Sequence, residues 1–184
     1  MKGSSFRTEI SIVPGKPITL QDRILTTGSC FAQQFGDWLL GNKFNVLSNP
    51  FGTTYNPISI HENLIDSLTN KLTETLFVES DNIWKHYNYH SRWCASEKQS
   101  LMDSIHEQQG IGRENIKNSS VIIMTYGTAW VYNHLAENTR VSNCHKRPAK
   151  LFEKLLLTVD EITDSFKALY EKLHQINPDI RILL

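Results

Sequence analysis

The 184-residue chain predicts an α/β domain in which a parallel sheet carries helices on both faces, giving three α/β/α layers. Three stretches carry that reading. "DRILTTGSCFAQQFGDWLL" passes from an apolar strand through one glycine into a helix-period segment. "SSVIIMTYG" holds a continuous apolar run of the kind buried on both faces of a sheet. "TVDEITDSFKALYEKLHQINPDIRILL" is an amphipathic helix, an Asn-Pro stop and a further strand. Strands alternating with helices imply parallel pairing, and ligands of such sheets bind at the carboxyl ends of the strands.

Taken in order, residues 1–21 are polar and hold Pro14, Gly15 and Pro17, so they predict an extended arm wrapping a single domain. "DRILTTG" is the first central strand. Phe31, Phe35, Trp38 and Leu39 then fall at i, i+4, i+7 and i+8 and predict the inner face of a helix ending near Gly41. "KFNVLS" is a second strand, and the turn-rich "NPFGTTYNP" a surface loop. The next helix starts either near Pro57 or at a capping box from Ser59 to Glu62, with Ile60, Leu64 and Leu68 inward. Thr75 to Cys94 is dense in Trp, Tyr and His without a helical period, which predicts an insertion of short strands and loops. "SEKQSLMDSIHEQQGIGRENIKN" is helix-prone, and "SSVIIMTYGTAWVY" reads as a sheet-centre strand ending at Gly127. A second capping box, Thr158 to Glu161, opens the last helix, whose inner face is Ile162, Phe166, Leu169, Tyr170, Leu173 and Ile176. "DIRILL" begins another strand.

Hydrophobic residues make up 40% and charged residues 21%, as in an ordinary globular domain. Lys plus Arg and Asp plus Glu are both 19, which supplies no footprint for nucleic acid or an anionic membrane. Cys30, Cys94 and Cys144 are scattered and odd in number, which argues against a disulfide framework or a zinc ribbon. With no leader-like apolar run at the N-terminus, the expected location is cytoplasmic.

Ser29 follows a strand and opens a helix, so unpaired helix N–H groups could hold the oxyanion formed when its hydroxyl attacks a carbonyl. It could equally be an N-cap. Cys30 beside it is a candidate thiolate or a small core residue. A phosphate cradle fits less well, because "TTGSCF" lacks the further glycines of a dinucleotide fingerprint and the lysine of a P-loop. Gly127 and Thr128, at the end of the third strand, are candidate substrate-binding residues. His145 in "NCHKRP" is either a functional or a surface-loop histidine. His86 and His90 have i, i+4 spacing but no helical pattern and no third ligand, so no metal and no cofactor are expected.

"GSCFA" at 28–32, "NPFGTTYNP" at 49–57, "YGTAWVY" at 126–132 and "NCHKRPAKLF" at 143–152 together resemble, in order, the blocks of the GSCFA domain family, a group similar to SGNH or GDSL-type hydrolases. The resemblance implies a flavodoxin-like sheet and hydrolysis of an ester. It matches Ser29 to the nucleophile and Gly52 to a glycine whose N–H joins that of Ser29 in an oxyanion hole. The usual third-block Asn is missing after Gly127, and Asn143 is the candidate to replace it. The superfamily's base is a histidine beyond the last strand, so the resemblance implies a chain truncated at its C-terminus. His145 is then either a substitute base or a binding residue. The implied partner is a small-molecule or carbohydrate ester, and the aromatic stretch Ile83 to Trp93 either walls the pocket or forms a satellite core. The rival reading is a non-catalytic module that binds a glycan or acyl group, and a third is a Cys30 thiol enzyme.

Overall fold

The computed structural model describes residues 15–184; of the expected arm, residues 1–14 lie outside the described part, and 15–22 form no regular structure. The first strand, β1 (Arg23–Gly28), leads into α1 (Cys30–Gly41) and returns as β2 (Asn45–Ser48). After the loop comes α2 (Pro57–Thr69), then three short strands, β3 (Phe77–Ser80), β4 (Ile83–His86) and β5 (Cys94–Ala95). The long helix α3 (Lys98–Asn118) feeds β6 (Val121–Thr125). Beyond it lie β7 (Trp130–His134), β8 (Thr139–Val141) and β9 (Phe152–Leu156), and the chain closes with α4 (Val159–Ile176) and β10 (Arg181–Leu183). None of the helices in the described part is long and apolar enough to cross a membrane.

The central sheet has the order β10-β6-β1-β2, and each neighbouring pair is parallel. Alternation along each strand divides its side chains between two cores. Leu25, Ile122 and Met124 face Ile60 and Leu64 of α2, Leu101, Ile105 and Ile116 of α3, and Leu169 and Leu173 of α4. Ile24, Val121 and Ile123 face Leu39 of α1 on the other side. The three-layer α/β/α arrangement expected from the sequence is therefore the one observed. Two small antiparallel sheets, β3-β4-β5 and β8-β7-β9, are built onto it.

Four expectations need correction. Tyr170 and Ile176, expected on the inner face of α4, are 46% and 40% exposed. The stretch 49–57, expected as a surface loop, is buried except at Thr53 and Tyr55. The inner face of α1 is Ala32, Gly36 and Leu39, whereas Phe31 and Trp38 are 60% and 58% exposed and stack on either side of Phe35. The cause is close approach: a Cβ on Gly36 would lie 2.5 Å from Ser48 Oγ and 2.6 Å from Thr26 Oγ1, so the small-residue line meets the sheet; Phe35 and Leu39 pack inward as expected, and Phe31 and Trp38 are turned outward. Likewise, "SSVIIMTYGTAWVY" is two strands in two sheets: β6 ends at Thr125, and Trp130–His134 pairs with β8 and β9 instead. The chain must leave the parallel sheet here, because residues 126–128 are held by the loop before α2.

The helix starts follow local chemistry. Of the two starts offered for α2, the structure takes the one at Pro57. Asn56 caps it, its Oδ1 accepting the Ser59 N–H at 2.9 Å. At α4 the capping box is complete: Thr158 N–H donates to Glu161 Oε2 at 2.8 Å and Glu161 N–H donates to Thr158 Oγ1 at 3.2 Å.

The glycine geometry yields an opposed pair of outcomes. Gly36→Ala is expected to destabilise by about 1–3 kcal/mol through overpacking against Thr26 and Ser48. Gly110→Ala, in α3 with nothing within 4 Å of the added Cβ, is expected to stabilise by about 0.5–1 kcal/mol. Urea unfolding of the two variants checks both signs.

Candidate functional site

The order β2-β1-β6-β10 reverses chain direction of growth between β1 and β6, which makes the carboxyl ends of these two strands the crevice of the sheet. Gly28 closes β1 with φ +127°, and a Cβ there would lie 2.3 Å from Thr125 O, so only glycine lets the two strand ends run this close. Ser29 comes next. Its N–H donates to Thr125 O at 3.0 Å and to Thr125 Oγ1 at 3.1 Å, and its hydroxyl lies 2.7 Å from Thr125 Oγ1. Ser29 stands at the N-cap position of α1, but its side chain caps nothing. The hydroxyl turns toward β6 instead of its own helix.

The loop between β2 and α2 is clipped over this junction. Buried Asn49, left-handed with φ 39°, accepts the Gly28 N–H on Oδ1 at 3.1 Å and donates its own N–H to Thr26 O at 3.0 Å. Thr54 N–H donates to Gly28 O at 2.8 Å. On the far side, Gly127 and Thr128 N–H groups donate to Tyr55 O at 2.8 and 3.2 Å. A Cβ on Gly127 would meet Tyr55 Cδ1 at 2.8 Å and Ser29 Cβ at 3.6 Å. Three segments distant in sequence thus converge: Ser29, the 49–55 loop, and Gly127 with Thr128. A cavity of about 220 Å³ opens beside them, lined by Tyr55, Thr128, Trp130, Tyr132 and Lys154 among others.

Gly52 has φ +83°, and a Cβ on it would run into His90, so glycine is required there also. Its N–H donates to Asn49 O at 3.0 Å. The N–H groups of Ser29 and Gly52 are therefore both engaged within the protein. The first turn of α1, where Cys30 and Phe31 N–H groups have no intrahelical acceptor, is the adjoining source of donors. Cys30 is exposed and does not pack in the core.

Asn143 and His145 are joined to each other, and to the aromatic insertion. Asn143 Oδ1 accepts the His145 N–H at 2.9 Å, and Asn143 N–H donates to Tyr87 O at 2.9 Å. His145 Nε2 lies 2.9 Å from His86 O, and its ring stacks on Tyr87. Burial holds its pKa below the ordinary histidine value. No hydrogen bond joins either residue to Ser29, whose hydroxyl meets Thr125. His86 ends a strand and is spent on backbone: Nδ1 accepts the Asn88 N–H and Nε2 lies 3.0 Å from Thr73 O. Within the insertion Tyr87 and Tyr89 are core residues, while Trp93 lines a separate groove with Pro50 and Arg92.

A residue not singled out in the sequence supports the third segment. His61, fully buried on α2, lies 2.7 Å from Tyr126 Oη through Nε2 and 2.8 Å from Ser165 Oγ through Nδ1. It ties α2 and α4 to the residue preceding Gly127. Desolvation lowers its pKa to about 4 and raises that of Tyr126 to about 12, so both are neutral at neutral pH. Its position between Ile60 and Leu64 on an inward-facing helix is the one sequence signal for it.

Because the folded pKa of His61 is depressed, the unfolded chain binds a proton first on acidification and folding loses stability. The stability advantage of the native protein over His61→Gln is expected to shrink as pH falls from 6.5 to about 4. Paired urea titrations across that range read it out.

Among known proteins, the model of the GSCFA family matches residues 23–184. No curated protein and no solved structure matches the chain. The match runs from the first residue of β1 through β10 and includes every segment of the site just described: the chain belongs to the GSCFA family.

Proposed function

We propose that the chain is a serine acyl hydrolase in which Ser29 Oγ attacks an ester carbonyl. The hydroxyl proton passes to a base, the carbonyl oxygen becomes an oxyanion, and collapse expels the alcohol, which takes up that proton. Water then cleaves the acyl-serine by the same route in reverse, releasing the acid. The observation that carries the reading is the Ser29 hydroxyl itself. It is freed from capping and stands at the switch point of a parallel sheet, beside Gly127, with the N-terminus of α1 behind it.

The oxyanion donors in this reading are the N–H groups of Ser29 and Gly52, with Asn143 as the third, each exchanging its present partner for the substrate oxygen. Thr128 lines the cavity that takes the substrate, Gly127 precedes it as the second binding residue of this reading, and the exposed faces of Tyr55 and Trp130 suit an acylated carbohydrate. His145 is the base of this reading, and it would have to exchange its present contact with the His86 carbonyl for the Ser29 hydroxyl.

A specific observation favours a second reading, a binding module that retains the crevice without turnover. The one partner of the Ser29 hydroxyl among the described residues is Thr125 Oγ1, a hydroxyl that takes no proton at neutral pH.

Ser29→Ala separates the two. The hydrolase reading expects hydrolysis of p-nitrophenyl acetate to fall by about 10³-fold or more, with retention of an O-acetylated oligosaccharide unchanged. Equal rates in the native protein and the variant, with binding intact, would leave the binding module.

A further inference from the structure

The cavity beside Thr128 does not end at Lys154. A second cavity, of about 280 Å³, shares Tyr132 and Lys154 with the first and is lined besides by Cys144, Arg147, Ala149 and Phe152. The two are therefore neighbouring chambers along one face of the β8-β7-β9 sheet. Tyr132 stands opposite Lys154 across β7 and β9, and Trp130 and Phe152, each two residues away, share that face. The remaining lining comes from the segment that leads into β9. There the Arg147 N–H donates to Cys144 O at 2.9 Å and closes a turn.

Both chambers are walled by aromatic rings and hold cations, and no carboxylate lines either one. Lys154 Nζ sits 4.8 Å from the centre of the Trp130 ring. Arg147 has no such partner: among the described residues its guanidinium is in no salt bridge and lies over no ring. Its Nε is buried without a hydrogen bond, which fixes the root of the guanidinium in the protein. The two terminal nitrogens, also without a partner among the described residues, are not buried, and they are what a ligand in the second chamber meets. A half-buried cation that nothing in the protein neutralises lowers stability, and an anion from outside accounts for it.

We infer that the ligand of this crevice is an acylated sugar acid, whose carboxylate is held in the second chamber by Arg147 and Lys154 while its ring lies against Trp130 and Tyr132. The inference rests on the reading that the first chamber takes an acylated carbohydrate. The planar fork of terminal N–H groups on Arg147 matches the two oxygens of a carboxylate, whereas Lys154 adds a point charge already shared with Trp130. One fork and one shared ammonium suit a single negative charge. Arg147 and Lys154 are then the residues that set specificity, and neither takes part in the chemistry at Ser29.

The test is calorimetric titration of the full chain, native and Ser29→Ala, at matched ionic strength. The probes are O-acetylated cellotriose and the same trimer with its hydroxymethyl carbons oxidised to carboxylates. The acidic trimer is expected to bind about tenfold or more tighter in both proteins, and Arg147→Gln to remove that preference. Should Arg147→Gln fail to fold, Lys154→Gln, a change at an exposed position, is expected to remove part of it. Equal binding of the two trimers, binding of neither, or a preference undiminished in the folded variants would each overturn the assignment. Binding to Ser29→Ala needs no turnover, so the two readings fail separately. Preference for the acidic trimer without acetate release from the native protein overturns hydrolysis alone, and acetate release without the preference overturns the sugar-acid assignment alone.

Discussion

The contact between the ends of β1 and β6 is the constraint on which the site depends. Parallel pairing carries Gly28 opposite Thr125, and the absence of a side chain on Gly28 lets the next residue reach the Thr125 carbonyl and hydroxyl together. Both backbone groups of Gly28 are then used by the neighbouring loop, its N–H by Asn49 and its carbonyl by Thr54. One residue thus fixes a strand end, the start of α1 and the path of the 49–55 loop. An alanine at this position would need both a left-handed backbone and the space occupied by Thr125 O, so the convergence could not form as it does.

Support for that contact comes from polar groups in the interior. His61 bridges α2 and α4 to Tyr126, and Asn49 bridges β1 to the loop; both are buried with their principal polar atoms paired. Such groups stabilise modestly when satisfied and are costly when one partner is lost, which makes them agents of uniqueness more than of stability. Their role here is to hold the segment of Gly127 and the 49–55 loop against the β1 end that carries Ser29. His145 is the exception, buried with one ring nitrogen paired and the other unpaired.

The parallel sheet, its helices and the meeting of Ser29, the Gly52 loop and Gly127 were legible because each rests on a local signal: apolar runs, helical spacing, capping boxes, and glycines at strand ends. The outward turn of Phe31 and Trp38 on α1 was not, because large apolar residues carry a stronger local signal than the small residues Ala32 and Gly36. Which row faces inward is decided by what the sheet presents, Thr26 and Ser48, and that is a tertiary fact. The same holds for the break after Thr125. "VIIMTYGTAWVY" is continuous in β-propensity, and only the hydrogen bonds from Gly127 and Thr128 to Tyr55 divide it. Asn49 and His61 read as a turn residue and a helix residue, since their partners are 21 and 65 residues away. Asn143 and His145 were singled out for separate roles at Ser29, and the hydrogen bonds they make to each other, to Tyr87 and to His86 depend on the insertion's fold.

The central claim is that the Ser29 hydroxyl is a nucleophile. Reaction of the folded protein with a serine-directed fluorophosphonate, followed by mass spectrometry of the labelled peptide, tests it most directly. The account predicts one adduct on Ser29, lost in Ser29→Ala. A folded protein that takes no label at Ser29, or that labels equally well after Ser29→Ala, would contradict it.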